Sequence, residues 1–130
     1  MKIMLDTSVL IFSLSDPNKL NNKTKSLISN PSTELFVSLI SIWEIIIKRS
    51  IGKLSIEIPI DLLVSKLNLS GIKIITIEIP HLKILSTLEM HHKDPFDRIL
   101  IAQSISENIP ILTSDLHFQK YPVELIYNKV

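Results

Sequence analysis

Strands alternating with helices along the chain predict a three-layer α/β/α fold around a central parallel sheet, because parallel strands need helical crossovers. Two further observations frame that expectation. The chain has 130 residues, the size of one domain with one core, so residues 1–130 read as a single domain. It is 45% hydrophobic and 21% charged, which excludes a disordered chain.

The elements follow in order. Residues 2–5 are a short apolar run ending at Asp6, a buried strand. Asp6, Thr7 and Ser8 supply N-cap chemistry for a helix through Val9, Leu10, Ile11 and Phe12. Asp16-Pro17 breaks the chain, residues 23–29 can form a second helix, and Asn30-Pro31-Ser32 makes a turn. Residues 35–37 are the second strand, leading into Ser38. Residues 41–53 have helical spacing and a basic end at Lys48, Arg49 and Lys53, which suits the negative pole of the helix dipole. Pro59 opens an amphipathic helix over 60–69, closed by Gly71. Residues 72–77 are a third strand and 80–90 a helix. Asp94-Pro95 starts the clearest helix, 95–108; residues 109–113 form a fourth strand stopped by Asp115, and 124–127 a fifth.

Composition removes whole classes of function. Without cysteine there are no disulfides, thiolate zinc sites or cysteine nucleophiles. Only two glycines occur, Gly52 and Gly71, so neither a dinucleotide fingerprint nor a P-loop fits. No apolar stretch approaches ~18 residues, so no membrane span is expected, and Asp6 interrupts the N-terminal apolar run too early for a signal peptide. A cytoplasmic location is expected. Fourteen Lys+Arg against thirteen Asp+Glu give a net charge of +1, too little to grip nucleic acid by charge alone.

The chemistry lies in acids at the ends of elements. In parallel α/β sheets the functional crevice lies at the carboxyl ends of the strands. Asp6 follows the first strand and Asp115 the fourth; Glu44 and Asp97 lie in the first turns of helices that open toward the same edge. Four carboxylates from distant parts of the chain thus converge, and such a group repels itself unless a cation or protons intervene. Mg²⁺ and Mn²⁺ favour oxygen ligands and can bind a phosphate oxygen and activate water, which would also compensate for the low net charge. Each acid also has a local reading. Asp6 can cap a helix, Ser41 to Glu44 has capping-box spacing, Asp94 before Pro95 fits an N-cap, Asp97 suits the helix dipole, and Asp115 suits a turn.

Four blocks carry a resemblance to a known family: Met4-Leu-Asp6-Thr-Ser-Val-Leu10, Ser38-Leu-Ile-Ser-Ile-Trp-Glu44-Ile, His92-Lys-Asp94-Pro-Phe-Asp97-Arg98-Ile-Leu-Ile-Ala-Gln103, and Ile111-Leu-Thr-Ser-Asp115 with Phe118 and Tyr121 beyond it. In this order they resemble the PIN-domain ribonucleases, most closely the toxin halves of bacterial VapBC-type toxin–antitoxin pairs. The resemblance implies a parallel sheet sandwiched by helices, and Asp6, Glu44, Asp97 and Asp115 as an acidic cluster around Mg²⁺ or Mn²⁺. Asp6 and Asp97 would be the more direct ligands, while Glu44 and Asp115 complete the cluster or orient water. It implies endonucleolytic hydrolysis of RNA, a cognate antitoxin that blocks the site, and a homodimer. Asp94 belongs to the subfamily signature rather than to the four acids.

Thr7, Ser8, Thr113 and Ser114 lie beside the acids and can orient them, or simply satisfy helix N–H groups. Lys48, Arg49 and Lys53 read as a solvated helix end before they read as phosphate contacts, and Arg98 as a surface or ion-pair residue. His91 and His92 are expected in a loop outside the site; Trp43 is expected in the core or at a dimer surface, without an aromatic partner. Two other readings compete. A phosphatase using Asp6 as nucleophile would need a second Asp where Ser8 stands. A catalytically silent RNA- or protein-binding module would have no need to keep all four acids.

Overall fold

The structure, a computed structural model, describes residues 1–129. Five strands alternate with six helices: β1 (Lys2–Leu5), α1 (Thr7–Ser15), α2 (Asn22–Ser29), β2 (Glu34–Ser38), α3 (Leu39–Ser50), α4 (Ile60–Leu69), β3 (Lys73–Ile75), α5 (Ile79–Leu85), α6 (Pro95–Glu107), β4 (Ile111–Thr113) and β5 (Leu125–Tyr127). The sheet has the order β3-β2-β1-β4-β5, and every neighbouring pair is parallel. Met4 pairs with Phe36 on one side and with Ile111 on the other. The chain therefore builds outward from β1 through β2 to β3, then returns to the opposite side of β1. The reversal falls between β1 and β4, where a crevice opens at the carboxyl ends of the strands.

Alternation along β1 divides the interior into two layers. Ile3 and Leu5 pack with Val9, Leu10, Val37, Ile45, Leu63 and Leu67 on one face. Met4 packs with Ile40, Leu100, Ile101, Ile111 and Phe118 on the other. Helix α3 contributes to both layers, through Ile42 and Ile45 to the first and Ile40 to the second. It thus straddles the sheet edge and carries Glu44 to the crevice.

Several boundaries differ from the sequence expectation for local reasons. β2 runs straight into α3: Ser38 ends the strand and caps the helix, its Oγ accepting the Ile40 N–H at 3.1 Å. Ser41 is therefore inside the helix, and the capping-box reading of Ser41 and Glu44 does not hold. α3 stops at Ser50 because Gly52 takes φ +75°, which lets its N–H and that of Lys53 reach back to the carbonyls of Arg49 and Lys48. The expected helix over 80–90 ends at Leu85, where Ser86 and Thr87 hydroxyls bond back to the carbonyls of Lys83 and Ile84. α6 closes on Asn108 in the left-handed conformation, φ 53°. Among the described residues, no helix is long and apolar enough to cross a membrane.

Candidate metal centre

Asp6 leaves β1 at its carboxyl end and caps α1, Oδ1 accepting from the Val9 N–H at 2.8 Å and the Ser8 hydroxyl at 3.0 Å. The Thr113 hydroxyl, at the end of β4, donates to Oδ2. One oxygen of Asp6 thus anchors the following helix while the other bridges the two strands that flank the crevice. Burial pushes the Asp6 carboxyl up to about 6, more than its hydrogen bonds to Thr113, Val9 and Ser8 pull it down; Glu44 adds to the rise.

Thr113 also accepts the Asp115 N–H at 2.9 Å. Asp115 caps the short turn Leu116–Lys120, its Oδ1 accepting from His117 N at 2.9 Å and lying 2.7 Å from His117 Nδ1. Burial alone would raise this carboxyl, but its bonds with His117 and His92 hold it below the ordinary value.

Asp97 stands in the first turn of α6, behind the N-cap Asp94, whose Oδ1 accepts from Phe96 N at 2.9 Å and Asp97 N at 3.4 Å. Burial first, then the charges of Asp94, Glu44, Asp6 and Asp115, push the Asp97 carboxyl up to about 8. Glu44 is 2% exposed; its Oε2 lies 2.5 Å from Lys48 Nζ, one turn further along α3, while Oε1 is buried with no hydrogen-bond partner. All four expected acids, with Asp94 and Lys48, line one cleft of about 170 Å³.

His92, expected in a loop outside the site, lies in a loop but reaches the cluster. Its Nε2 lies 3.0 Å from Asp97 Oδ2 and 3.4 Å from Asp115 Oδ2, and its Nδ1 accepts the Asp94 N–H at 3.3 Å. Ligand atoms of His92, Asp97 and Asp115 all fall within 4.8 Å of one another. The loop holding His92 is fixed by the Tyr121 hydroxyl, which accepts the N–H groups of His91 (3.0 Å) and His92 (2.8 Å) and donates to the Glu89 carbonyl at 2.8 Å. Arg98 makes no ion pair among the described residues; its part-buried guanidinium donates to the Glu89 carbonyl at 2.9 Å and to Tyr121 Oη at 3.2 Å.

Other expectations divide. Ser8 and Thr113 do hold an acid, whereas Thr7 donates to Ser41 Oγ at 2.8 Å and Ser114 Oγ accepts from Asn128 Nδ2 at 2.8 Å. Lys48 lines the cleft with its side chain part exposed, rather than standing wholly in solvent. Trp43 is half exposed and meets Phe96 edge-on at 5.4 Å, an aromatic partner 53 positions away in sequence.

The donor set fits a divalent cation. Two carboxyls lie above their ordinary range, and a buried carboxylate oxygen is unpartnered, as expected of oxygens gathered to share positive charge. Oxygen-rich ligation of this kind suits Mg²⁺ or Mn²⁺.

Fold and cleft together define a class: a parallel α/β domain with a candidate divalent-cation centre at its topological switch point. The PIN domain profile matches residues 3–124, and the chain belongs to the PIN-domain family, whose members are generally nucleases that use a divalent metal. Among solved structures the chain is similar to VapBC2 from Rickettsia felis bound to a DNA fragment from its promoter, at 20% identity and TM-score 0.71 over 98% of each chain. It is similar to DNA-bound VapBC from Salmonella typhimurium, at 18% identity and TM-score 0.71 over 98% of each chain. A third is VapBC-1 from nontypeable Haemophilus influenzae, at 17% identity and TM-score 0.68 over 100% of each chain. At these identities the likeness shows the fold alone. Among curated proteins, none matches the chain.

Proposed function

We propose that the chain is a Mg²⁺- or Mn²⁺-dependent endoribonuclease, acting as the toxin of a type II toxin–antitoxin pair. The observation that carries this reading is the convergence of Asp6, Glu44, Asp97 and Asp115 on one cleft of a PIN domain. Asp6 and Asp97 would hold the ion, with Asp115 and Glu44 completing the cluster or orienting water. A divalent ion supplies the Lewis-acid charge that a phosphodiester and an attacking water both need. Thr113 and Ser8 keep Asp6 in one orientation, and His92 keeps the Asp97 and Asp115 carboxylates facing each other. Hydrolysis in line would leave a 5′-phosphate and a 3′-hydroxyl.

Support for an antitoxin partner comes from the similar structures, which are toxin–antitoxin complexes. Leu39, Trp43 and Ile46 form an exposed apolar row on α3 beside Glu44, suited to a protein partner, either the antitoxin or a second copy of the chain. A cytoplasmic location accompanies this reading.

The test is cleavage of end-labelled total RNA by the purified chain with Mn²⁺ or EDTA, alongside Asp97→Asn. Discrete products that need both Mn²⁺ and Asp97 are expected. An intact RNA pool with folded, antitoxin-free protein would favour a silent binding module instead.

A further inference from the structure

We infer that Lys48 takes the place of a second divalent cation, so that the centre works with one ion per chain and one ammonium. The inference rests on the metal-centre reading above and specifies it. Two-ion phosphodiesterases need carboxylates on both flanks of the reacting phosphate, with the ions ~3.5–4 Å apart. Here the acids differ in what already meets them. Candidate ligand atoms of Asp97, Asp115 and His92 gather within 4.8 Å of one another. Glu44 instead gives Oε2 to Lys48 Nζ at 2.5 Å, so an ammonium stands where a second cation would meet that oxygen, and only Oε1 stays open to an ion shared with the other acids.

Asp94, which could assist Glu44, has Oδ1 engaged in capping α6. Lys48 is set in place by its own helix: an i, i+4 pair with the Glu on the N-terminal side is the favoured order. Its side chain is 39% exposed, against 3% for Glu44, and both line the cleft, so the lysine is the more accessible member of the pair. A phosphate oxygen entering there meets an N–H⁺ donor already held by Glu44. Glu44 thus positions Lys48 through Oε2 and keeps Oε1 to complete the cluster.

The test counts ions and then removes the ammonium. Calorimetric titration of the metal-free wild-type chain with Mn²⁺ alone is expected to give one site per chain. In Lys48→Gln, Mn²⁺ affinity is expected to hold or rise, since a nearby positive charge is gone. RNA cleavage should fall about ten- to hundredfold in kcat/KM, the loss expected for one charge-assisted contact. Lys48→Arg should restore part of it. Two Mn²⁺ sites in the wild type would overturn this inference while leaving the metal centre standing; no Mn²⁺ site at all would overturn the metal centre itself. Lys48→Gln with unchanged cleavage, or with Mn²⁺ affinity and melting temperature lost together, would make Lys48 a surface or scaffold residue.

Discussion

His92 Nε2 lies 3.0 Å from Asp97 Oδ2, and the opposite ring nitrogen accepts the backbone N–H of Asp94. That second bond fixes the tautomer: with Nδ1 as acceptor, the ring proton sits on Nε2 and points at the carboxylates of Asp97 and Asp115. Removing the ring leaves those carboxylates free to turn apart. His92→Ala is expected to weaken Mn²⁺ binding and RNA cleavage by about 10–100-fold each, the usual loss when a partner that orients ligands is deleted. His91, whose ring pairs instead with Glu89 at 2.8 Å, serves as the control, and His91→Ala should change neither. Calorimetry and a gel-based cleavage assay read both quantities.

Tyr121 holds that histidine from 29 residues away. Its hydroxyl accepts two backbone N–H groups and one guanidinium donor and gives its proton to the Glu89 carbonyl. Tyr121→Phe keeps the ring in the core and strands these donors, which should lower stability by about 1–3 kcal/mol in urea unfolding. The variant is also expected to bind Mn²⁺ more weakly, because the His92 loop loses its anchor. Full stability would show that water replaces the hydroxyl and that the loop needs no such tie.

These two relationships mark the boundary of what was legible in the sequence. The convergence of Asp6, Glu44, Asp97 and Asp115 on one cleft could be read because Asp6 and Asp115 follow strands while Glu44 and Asp97 lie in the first two turns of helices, and element order brings such positions to one edge of a parallel sheet. The parallel α/β architecture was legible for the same reason. His92 was not, because it lies in irregular chain whose path is set by Tyr121 and Arg98 rather than by periodicity. Lys48 looked like ordinary dipole compensation at a helix end; only burial of Glu44 turns it inward. Ser41 matched a capping box because nothing local reveals that β2 passes into α3 without a linker. Trp43 and Phe96 meet only once α3 and α6 are packed together.

Stability should depend on pH through the crowded acids. Burial, with the neighbouring acids, pushes Asp6 up to about 6 and Asp97 up to about 8 in the folded chain, from an ordinary value of 3.8. Between those limits the folded state binds more protons than the unfolded one, so the metal-free protein loses stability as pH rises from about 4 to about 8. Asp115, held low, contributes the opposite slope at the acid end: its stabilisation is present above the ordinary value and disappears as pH falls through its folded value. The urea midpoint without metal should therefore be higher near pH 5 than near pH 8.5. Saturating Mn²⁺ should flatten or reverse that difference, because the ion selects the deprotonated carboxylates. A metal-free protein equally stable at both pH values would contradict the clustering of charge.

Asp97→Asn should separate stability from activity. Asp97 carries a carboxyl pressed by burial and by four acidic neighbours, so replacing it with a neutral amide relieves repulsion while keeping shape. Without metal, the variant is expected to be more stable than wild type near pH 8 by about 0.5–2 kcal/mol, the gain common for a single stabilising substitution. Its cleavage should fall at least about 100-fold, and Mn²⁺ should raise its melting temperature far less than that of the wild type, since binding to the folded state alone stabilises it. Differential scanning calorimetry with and without Mn²⁺ reads the comparison directly. A variant less stable than wild type in EDTA, yet equally stabilised by Mn²⁺, would mean that Asp97 supports the first turn of α6 and that the ion is held elsewhere.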